Sequence, residues 1–332
     1  MTGNGEKVAV SVIVPVYKVE AFISRCIRSL MEQTLREVEF IIVDDCSPDR
    51  SIAVAEAVMQ NYPERHAQVH LIHHEVNKGL PAARNTGLAV AKGEYVFHCD
   101  SDDFIEPVML EKLYDEAKRQ DADIVWCDWM LSFGQNERYM KQPDYATPMV
   151  ALKGMLSGVM KYNVWNKLVR RQLYVDNQIQ FPAGYGMGED MTMIRLFACA
   201  QKVTYVPGGF YHYVKLNAGA FSKTYSNRHL EELRHNTDET LAFLKKRCGD
   251  TLALEMEFFK LDVKYPFLIT DDRNKHKLWS IWYPEANRFI MFNREVSSRR
   301  RVLQLLAARK QFWFVRLYYK MVHKFIYGIV YR

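Results

Sequence analysis

The chain of 332 residues has 48% hydrophobic and 25% charged residues and a net charge of +6, the make-up of a globular protein with enough core for two to three domains or subdomains. No run of about eighteen apolar residues is free of charge, which excludes a spanning helix; the polar residues 1–7 predict no signal peptide. Six cysteines (Cys26, Cys46, Cys99, Cys127, Cys199, Cys248) are scattered, mostly in apolar runs and without metal-ligand spacing, which predicts reduced core thiols in a cytoplasmic protein.

Residues 8–16 form a nearly continuous apolar run closed by Pro15 and Tyr17, a buried strand feeding a loop. Helical spacing follows over 20–33, then a second buried strand over 38–43 that ends in Asp44-Asp45-Cys46-Ser47-Pro48-Asp49. Ser47 and Pro48 read as N-cap and first residue of a helix running to about 61. A strand over 69–73, the loop Glu75-Val76-Asn77-Lys78-Gly79-Leu80 and a helix over 81–91 come next. Residues 93–98 then make a strand that runs into Cys99-Asp100-Ser101-Asp102-Asp103-Phe104, before a helix over 107–120 and a strand over 123–129.

This alternation predicts an α/β fold with a doubly wound, mostly parallel sheet and right-handed crossovers. Ligands of such sheets sit outside the carboxyl ends of the strands, and acidic residues close two of them here. Three carboxylates within four residues, at Asp100, Asp102 and Asp103, repel one another unless a cation arrives, and hard oxygen ligands favour Mg²⁺ or Mn²⁺. A solvated acidic turn capping the next helix is the alternative. There is neither a GxGxxG after the first strand nor a GxxxxGK[ST] motif, so dinucleotide and P-loop readings are poor.

Residues 133–148 read as a long polar loop. Gly184, Gly186 and Gly188 precede Glu189-Asp190, which opens a helix to about 200; that pair could merely cap the helix. One or two strands are expected over 205–213, and helices from 227 onward. The expected division is an α/β domain over 1–130, a subdomain over 131–226 and a helical, basic region over 227–332.

Taken in order, Val12-Ile13-Val14-Pro15-Val16-Tyr17, Val43-Asp44-Asp45-Cys46-Ser47, Asn77-Lys78-Gly79, Ala83-Arg84-Asn85-Thr86-Gly87, Asp100-Ser101-Asp102-Asp103, Trp165-Asn166-Lys167-Leu168 and Gly188-Glu189-Asp190-Met191 resemble the inverting, GT-A-fold glycosyltransferases of family 2, of the bacterial surface-polysaccharide type. The resemblance covers about residues 8 to 215 and implies a metal-dependent transfer of a sugar from a UDP-sugar to a glycan or lipid-linked glycan acceptor. It implies that Pro15, Val16 and Tyr17 shelve the uracil, with Glu20, Asn77, Lys78 and Gly79 near the nucleotide, and that Asp44 and Asp45 accept from uracil or ribose. Arg84 would face the nucleotide, Asp100 and Ser101 the ribose or metal, and Asp102 the metal, with His212 as a further candidate ligand. Asp190 resembles the catalytic base and Glu189 is its rival; Asn166 and Lys167 would shape the acceptor side. Val214-Lys215 stands where many relatives have Arg, so the diphosphate contact of that segment is in doubt.

After Glu295 there is no acidic residue, yet nine Lys or Arg follow. Leu317, Tyr318, Met321, Val322, Phe325, Ile326 and Ile329 can form an apolar face opposite Arg316, Lys320 and Lys324. Such a helix suits an anionic membrane interface, which would make the enzyme peripheral on the inner face; a helix packed on the core is the alternative. No recognition motif accompanies the charge, so no nucleic-acid partner is expected. Two rival functions remain: a sugar-phosphate nucleotidyltransferase, for which the loop after the first strand lacks the Gly-rich basic pattern, and an inactive polysaccharide-binding scaffold, against which the intact acidic residues argue.

Overall fold

The computed structural model describes residues 8–133, 136–216 and 226–326. The chain divides into two compact units, residues 1–148 with 162–240 and residues 149–161 with 241–332. Its strands are β1 (Val10–Val16), β2 (Val38–Asp44), β3 (Val69–His73), β4 (Tyr95–His98), β5 (Phe104–Ile105), β6 (Ile124–Phe133), β7 (Asn136–Met140), β8 (Lys167–Arg170) and β9 (Val203–Val214). The helices are α1 (Ile23–Met31), α2 (Ser51–Met59), α3 (Leu80–Val90), α4 (Met109–Gln120), α5 (Pro148–Leu156), α6 (Arg171–Asp176), α7 (Thr192–Phe197) and α8 (Asn227–Cys248), of which α5 belongs almost wholly to the second unit and α8 contains the boundary after Thr240. Beyond it lie α9 (Ala253–Lys264), α10 (Arg273–Ile281), α11 (Ser298–Ala308) and α12 (Phe312–Tyr318).

In the first unit the strands form one sheet in the order β3-β2-β1-β4-β8-β6-β9-β5, with β7 on β6. β1 pairs in parallel with β2 and β4, and β2 with β3, so the chain's first half is the expected α/β alternation. Every residue of β1, β2 and β4 is buried, as parallel strands covered on both faces require. The second half is mixed: β8 runs antiparallel to β4 and β6, whereas β6 and β9 are parallel. Trp126, Phe97, Phe40, Tyr95 and Tyr211 are among the largest fully buried side chains.

Three local expectations change. The segment 133–148 is not a long loop throughout, because β6 continues to Phe133 and β7 returns antiparallel, from Phe133 opposite Asn136 to Trp129 opposite Met140. Its polar, exposed residues hide the strand from a hydrophobic pattern, while buried Asp128 organises the base of the hairpin. That carboxylate accepts from the Tyr139 hydroxyl, from the Tyr205 hydroxyl at 2.6 Å and from the Gln142 N–H at 2.6 Å. Consequently residues 131–226 do not fold as a body of their own; β7, β8 and β9 extend the same sheet. Finally, the second helix begins at Ser51, with no cap from Ser47. The Asp49 carboxylate accepts from the Ser51 N–H at 3.1 Å and from the hydroxyls of Ser51 and Ser47; although burial opposes it, these bonds pull its pKa down to about 2.

The second unit is helical. Lys264 is its polar anchor: the ammonium donates to the carbonyls of Trp282 at 2.9 Å and Tyr283 at 3.1 Å and to Asn287 Oδ1 at 2.7 Å, and lies 4.3 Å from the Trp279 ring centroid. Burial pushes its pKa down to about 8. In and after α12, Val315 is buried while Trp313, Leu317 and Met321 are 64%, 47% and 58% exposed, so the terminal apolar residues are not packed away as a continuous core face. Lys310 and Lys320 are exposed alongside them, and Ile329 lies outside the described residues. Among the described residues no helix is long and apolar enough to cross a membrane.

Candidate active site

The site is assembled in the first unit at the carboxyl ends of β1, β2 and β4. After β4 the chain turns sharply, with the Asp103 N–H donating to the Asp100 carbonyl at 3.1 Å, and enters the two-residue strand β5 against β9. Tyr211 of β9 stitches this turn. Its hydroxyl accepts from the Asp100 N–H at 3.1 Å and donates to the Asp103 carboxylate at 2.7 Å, which also accepts from the Val214 N–H at 2.7 Å. Asp103 is therefore the structural acid of the cluster. Burial, with Asp102 and Asp100 beside it, pushes its carboxyl well above the usual range. Asp100 and Asp102 are only partly buried, and Ser101 between them is buried.

Asp44 and Asp45 close β2 and take different roles. Asp44 accepts from the Ser47 N–H at 2.9 Å and meets His73 Nδ1 at 2.9 Å. Asp45 is buried and turned onto the loop before α3, accepting from the N–H groups of Lys78 and Gly79, both at 2.8 Å, and facing His74 Nδ1 at 2.7 Å. Asn77 adds a bond to the Asp45 carbonyl at 3.2 Å. Gly79 has φ +87°, the left-handed region a side chain would resist, and from there the chain enters α3 with Pro81 in its first turn. Pro15 and Val16 lie buried in β1, whereas Tyr17 just beyond is 41% exposed, so of the expected uracil shelf only Tyr17 presents a ring. Glu20 is exposed and accepts from the Arg50 N–H at 3.0 Å.

Arg84 connects the strand-end acids to the Glu189-Asp190 pair. It projects from α3, is 1% exposed, and donates from Nη2 to Asp100 Oδ1 at 2.8 Å and from Nε to Glu189 Oε1 at 3.2 Å. The glycine-rich segment brings the pair here through Gly188, whose φ of +85° starts the short turn Glu189–Met191 ahead of α7. Burial pushes the Glu189 carboxyl up to about 8, against the pull of Arg84. Asp190 is half-buried; burial raises it to about 6, with Arg84 and, more weakly, Lys167 pulling it back. Lys167 is buried, donating to the Asn163 carbonyl at 2.7 Å and Asn166 Oδ1 at 2.9 Å, and burial lowers its pKa to about 7. Two adjacent carboxyl groups with separated pKa values, one of them accessible, can do acid–base work near neutrality.

His212 needs correcting as a metal ligand. It sits on β9 opposite Phe104, stacked on that ring at 4.1 Å, and meets Glu106 through Nε2 and Glu137 through Nδ1, each at 2.8 Å. Both ring nitrogens are engaged, which leaves none for a cation. Among the described residues no three His, Cys, Asp or Glu side chains form a ready metal centre. The set that fits a hard divalent ion is Asp100 with Asp102, whose charges are close enough to disturb Asp103. Mg²⁺ is commonly held by one or two carboxylates, with substrate phosphates completing its shell.

Residues 11–190, more than half the chain, match the family model described as Glycosyl transferase family 2. The chain belongs to glycosyl transferase family 2. This family 2 member is 35% identical over 213 residues to the uncharacterized glycosyltransferase EpsJ of Bacillus subtilis, the match covering 61% of this chain and 60% of that protein. It is 32% identical over 268 residues to the cholesterol galactosyltransferase of Borreliella burgdorferi, covering 76% of this chain and 73% of the relative. Among solved structures, S. aureus TarS 1-349 in complex with UDP-GlcNAc superposes with a TM-score of 0.71 at 20% identity, over 94% of this chain and 92% of that one. The fold is therefore GT-A-like, with a helical C-terminal region.

Within this family 2 fold the sequence reading missed Tyr211 as the residue that fastens the acid turn. Its signal was faint, one tyrosine in a run of aromatics over 210–213. Asn166, expected on the acceptor side, is instead fully buried: its side-chain amide donates to the Cys127 carbonyl at 2.7 Å and its oxygen accepts from Lys167.

Proposed function

We propose that the protein transfers one sugar from a UDP-sugar to a glycan acceptor with inversion at the anomeric carbon. The observation that carries this reading is the Arg84 bridge, which ties the strand-end carboxylate Asp100 to the Glu189-Asp190 pair and so brings a nucleotide side and an acceptor side into one site. Tyr17 stacks on the base; Asp44 accepts from uracil or ribose, while Asp45 holds the Asn77-Lys78-Gly79 loop beside them. Asp190 accepts the acceptor hydroxyl's proton as the new oxygen–carbon bond forms and the bond to the diphosphate breaks, releasing UDP. Glu189 stays with Arg84 and keeps that cation in place. Mg²⁺ or Mn²⁺ bound by Asp100 and Asp102 would supply charge neutralisation for the leaving diphosphate.

The names of relatives support a lipid or polymer acceptor: one is a cholesterol galactosyltransferase and another a poly(ribitol-phosphate) beta-glucosyltransferase. A lipid-linked or polysaccharide acceptor fits the exposed Trp313, Leu317 and Met321 with the nearby cations Lys310 and Lys320, which suit an anionic membrane on the cytoplasmic side. The test is UDP release from a panel of UDP-hexoses and UDP-N-acetylhexosamines with Mn²⁺ or Mg²⁺, with the anomeric configuration of the product read by NMR. Turnover of one donor with an inverted product is expected. Absence of any donor-dependent UDP release would overturn the reading.

A further inference from the structure

Behind the Arg84–Glu189 contact, four side chains carry buried polar atoms without a protein partner among the described residues: Arg84 Nη1, both ring nitrogens of His98, Tyr174 Oη and Glu189 Oε2. The four residues are only 1%, 1%, 2% and 6% exposed, so bulk water does not serve those atoms. They gather round Phe181. The His98 ring meets Phe181 edge-on at 5.0 Å between centroids and Tyr174 at 6.4 Å, and the Arg84 guanidinium lies 5.7 Å from the Phe181 centroid. Arg84 Nε holds Glu189 Oε1 at 3.2 Å, and Tyr174 lies within the fields of both charged groups. Phe181 is itself clipped to α3 one residue past Arg84: its N–H donates to Asn85 Oδ1 at 2.8 Å and its carbonyl accepts from Asn85 Nδ2 at 2.9 Å. The Phe181 ring is thus held in place beside these four residues.

Buried polar groups in folded proteins nearly always have partners, and several orphans facing one another mark an internal water. We infer that Arg84, His98, Tyr174 and Glu189 enclose a bound water, through which Tyr174 and His98 act as positioning residues for the Arg84–Glu189 bridge. The inventory of groups matches this ligand. Arg84 Nη1 donates, Tyr174 Oη and one His98 nitrogen can do either, and Glu189 Oε2 accepts when ionised and donates when protonated, so a molecule with two protons and two lone pairs serves these four atoms; the second His98 nitrogen points away on the far side of the ring. An anion has no proton to offer the imidazole lone pair. The consequence lies in geometry. Arg84 grips Glu189 by one oxygen only; the water secures the other, so the carboxylate cannot rotate away and Arg84 stays aimed at Asp100.

This inference rests on the proposed transferase reading only for its kinetic arm. A crystal structure of the wild type at high resolution should show an ordered water within about 3.2 Å of Tyr174 Oη and Glu189 Oε2. Tyr174→Phe keeps the ring and its packing and deletes the hydroxyl, so that water should lose occupancy. Turnover of a UDP-sugar should then fall on the order of tenfold, with KM and UDP affinity unchanged. His98→Gln, which retains a donor and an acceptor, should preserve water and turnover, whereas His98→Leu should reproduce the Tyr174→Phe defect. A dry pocket in the wild type, or direct bonds among these atoms in its place, overturns the water. A water present in the wild type with unchanged kcat in Tyr174→Phe overturns the positioning role. If the wild type turns over no UDP-sugar, the transferase reading fails while the electron density still decides the water.

Discussion

Asp190→Asn is the substitution that separates chemistry from binding. It preserves size and removes the oxygen that would accept the acceptor's proton. A positioned general base contributes about 10²–10⁴-fold, so turnover near pH 8 should fall by that factor while UDP affinity stays near native. The structure adds a pH signature, because burial raises Asp190 to about 6. As a base the group works deprotonated, so activity is gained as pH rises through that value. With a pKa of about 6, about 91% is ionised at pH 7 and about 9% at pH 5, and wild-type kcat should drop about tenfold between them. Glu189 sits beside it at about 8, so the two are read as a pair with macroscopic steps. Glu189→Gln distinguishes the members: the acidic limb should persist there and vanish in Asp190→Asn. The assay is UDP release from pH 4.5 to 9, with UDP affinity measured by calorimetry. A Asp190→Asn enzyme that keeps its turnover, keeps the limb, or loses UDP affinity by the same factor as kcat refutes the reasoning.

The remaining expectations follow from single contacts. Asp102→Ala should abolish metal-dependent turnover and weaken UDP binding in Mn²⁺ but not in EDTA; calorimetry with and without metal checks this, and native activity in excess EDTA counts against a resident cation. Asp45→Ala leaves the Lys78 and Gly79 N–H groups without their acceptor and should cost about 3 kcal/mol, seen as a lower denaturation midpoint or as increased hydrogen exchange in the loop before α3. Because the folded pKa of Glu189 is raised, the native state holds a proton that the unfolded chain releases above about 4.3. This group's stabilising effect is therefore full at acid pH and lost as pH rises toward about 8, and urea midpoints of Glu189→Gln should be flatter across that window. Finally, a variant combining Lys310→Gln, Lys320→Gln and Trp313→Ser, all at exposed positions, should fold normally but sediment less with phosphatidylglycerol vesicles, the difference shrinking at high salt. Equal sedimentation of both proteins would remove the membrane from the proposal.

Much of the first half was legible because parallel strands buried on both faces must be apolar throughout, and acids that follow such runs mark the sheet's carboxyl edge. Residues 10–16, 38–44 and 95–98 declare themselves this way, and so do Asp44, Asp45, Asp100 and Asp102. The strand over 136–140 did not, since an exposed edge strand owes its conformation to backbone pairing with β6 rather than to any apolar alternation. Which acids face a ligand was likewise beyond the sequence. Asp103 looks no different from Asp102 in the motif, yet Tyr211, 108 positions away, claims it; Asp45 looks like Asp44, yet it turns onto two backbone N–H groups. Arg84 and Glu189 are 105 residues apart and His212 is held between acids from β7 and from the turn after β5. Local sequence fixes which groups exist and which strand end they follow. The partner that a buried charge must find is supplied by distant chain, so only the tertiary structure decided which charges are consumed in holding the site and which are left to act in it.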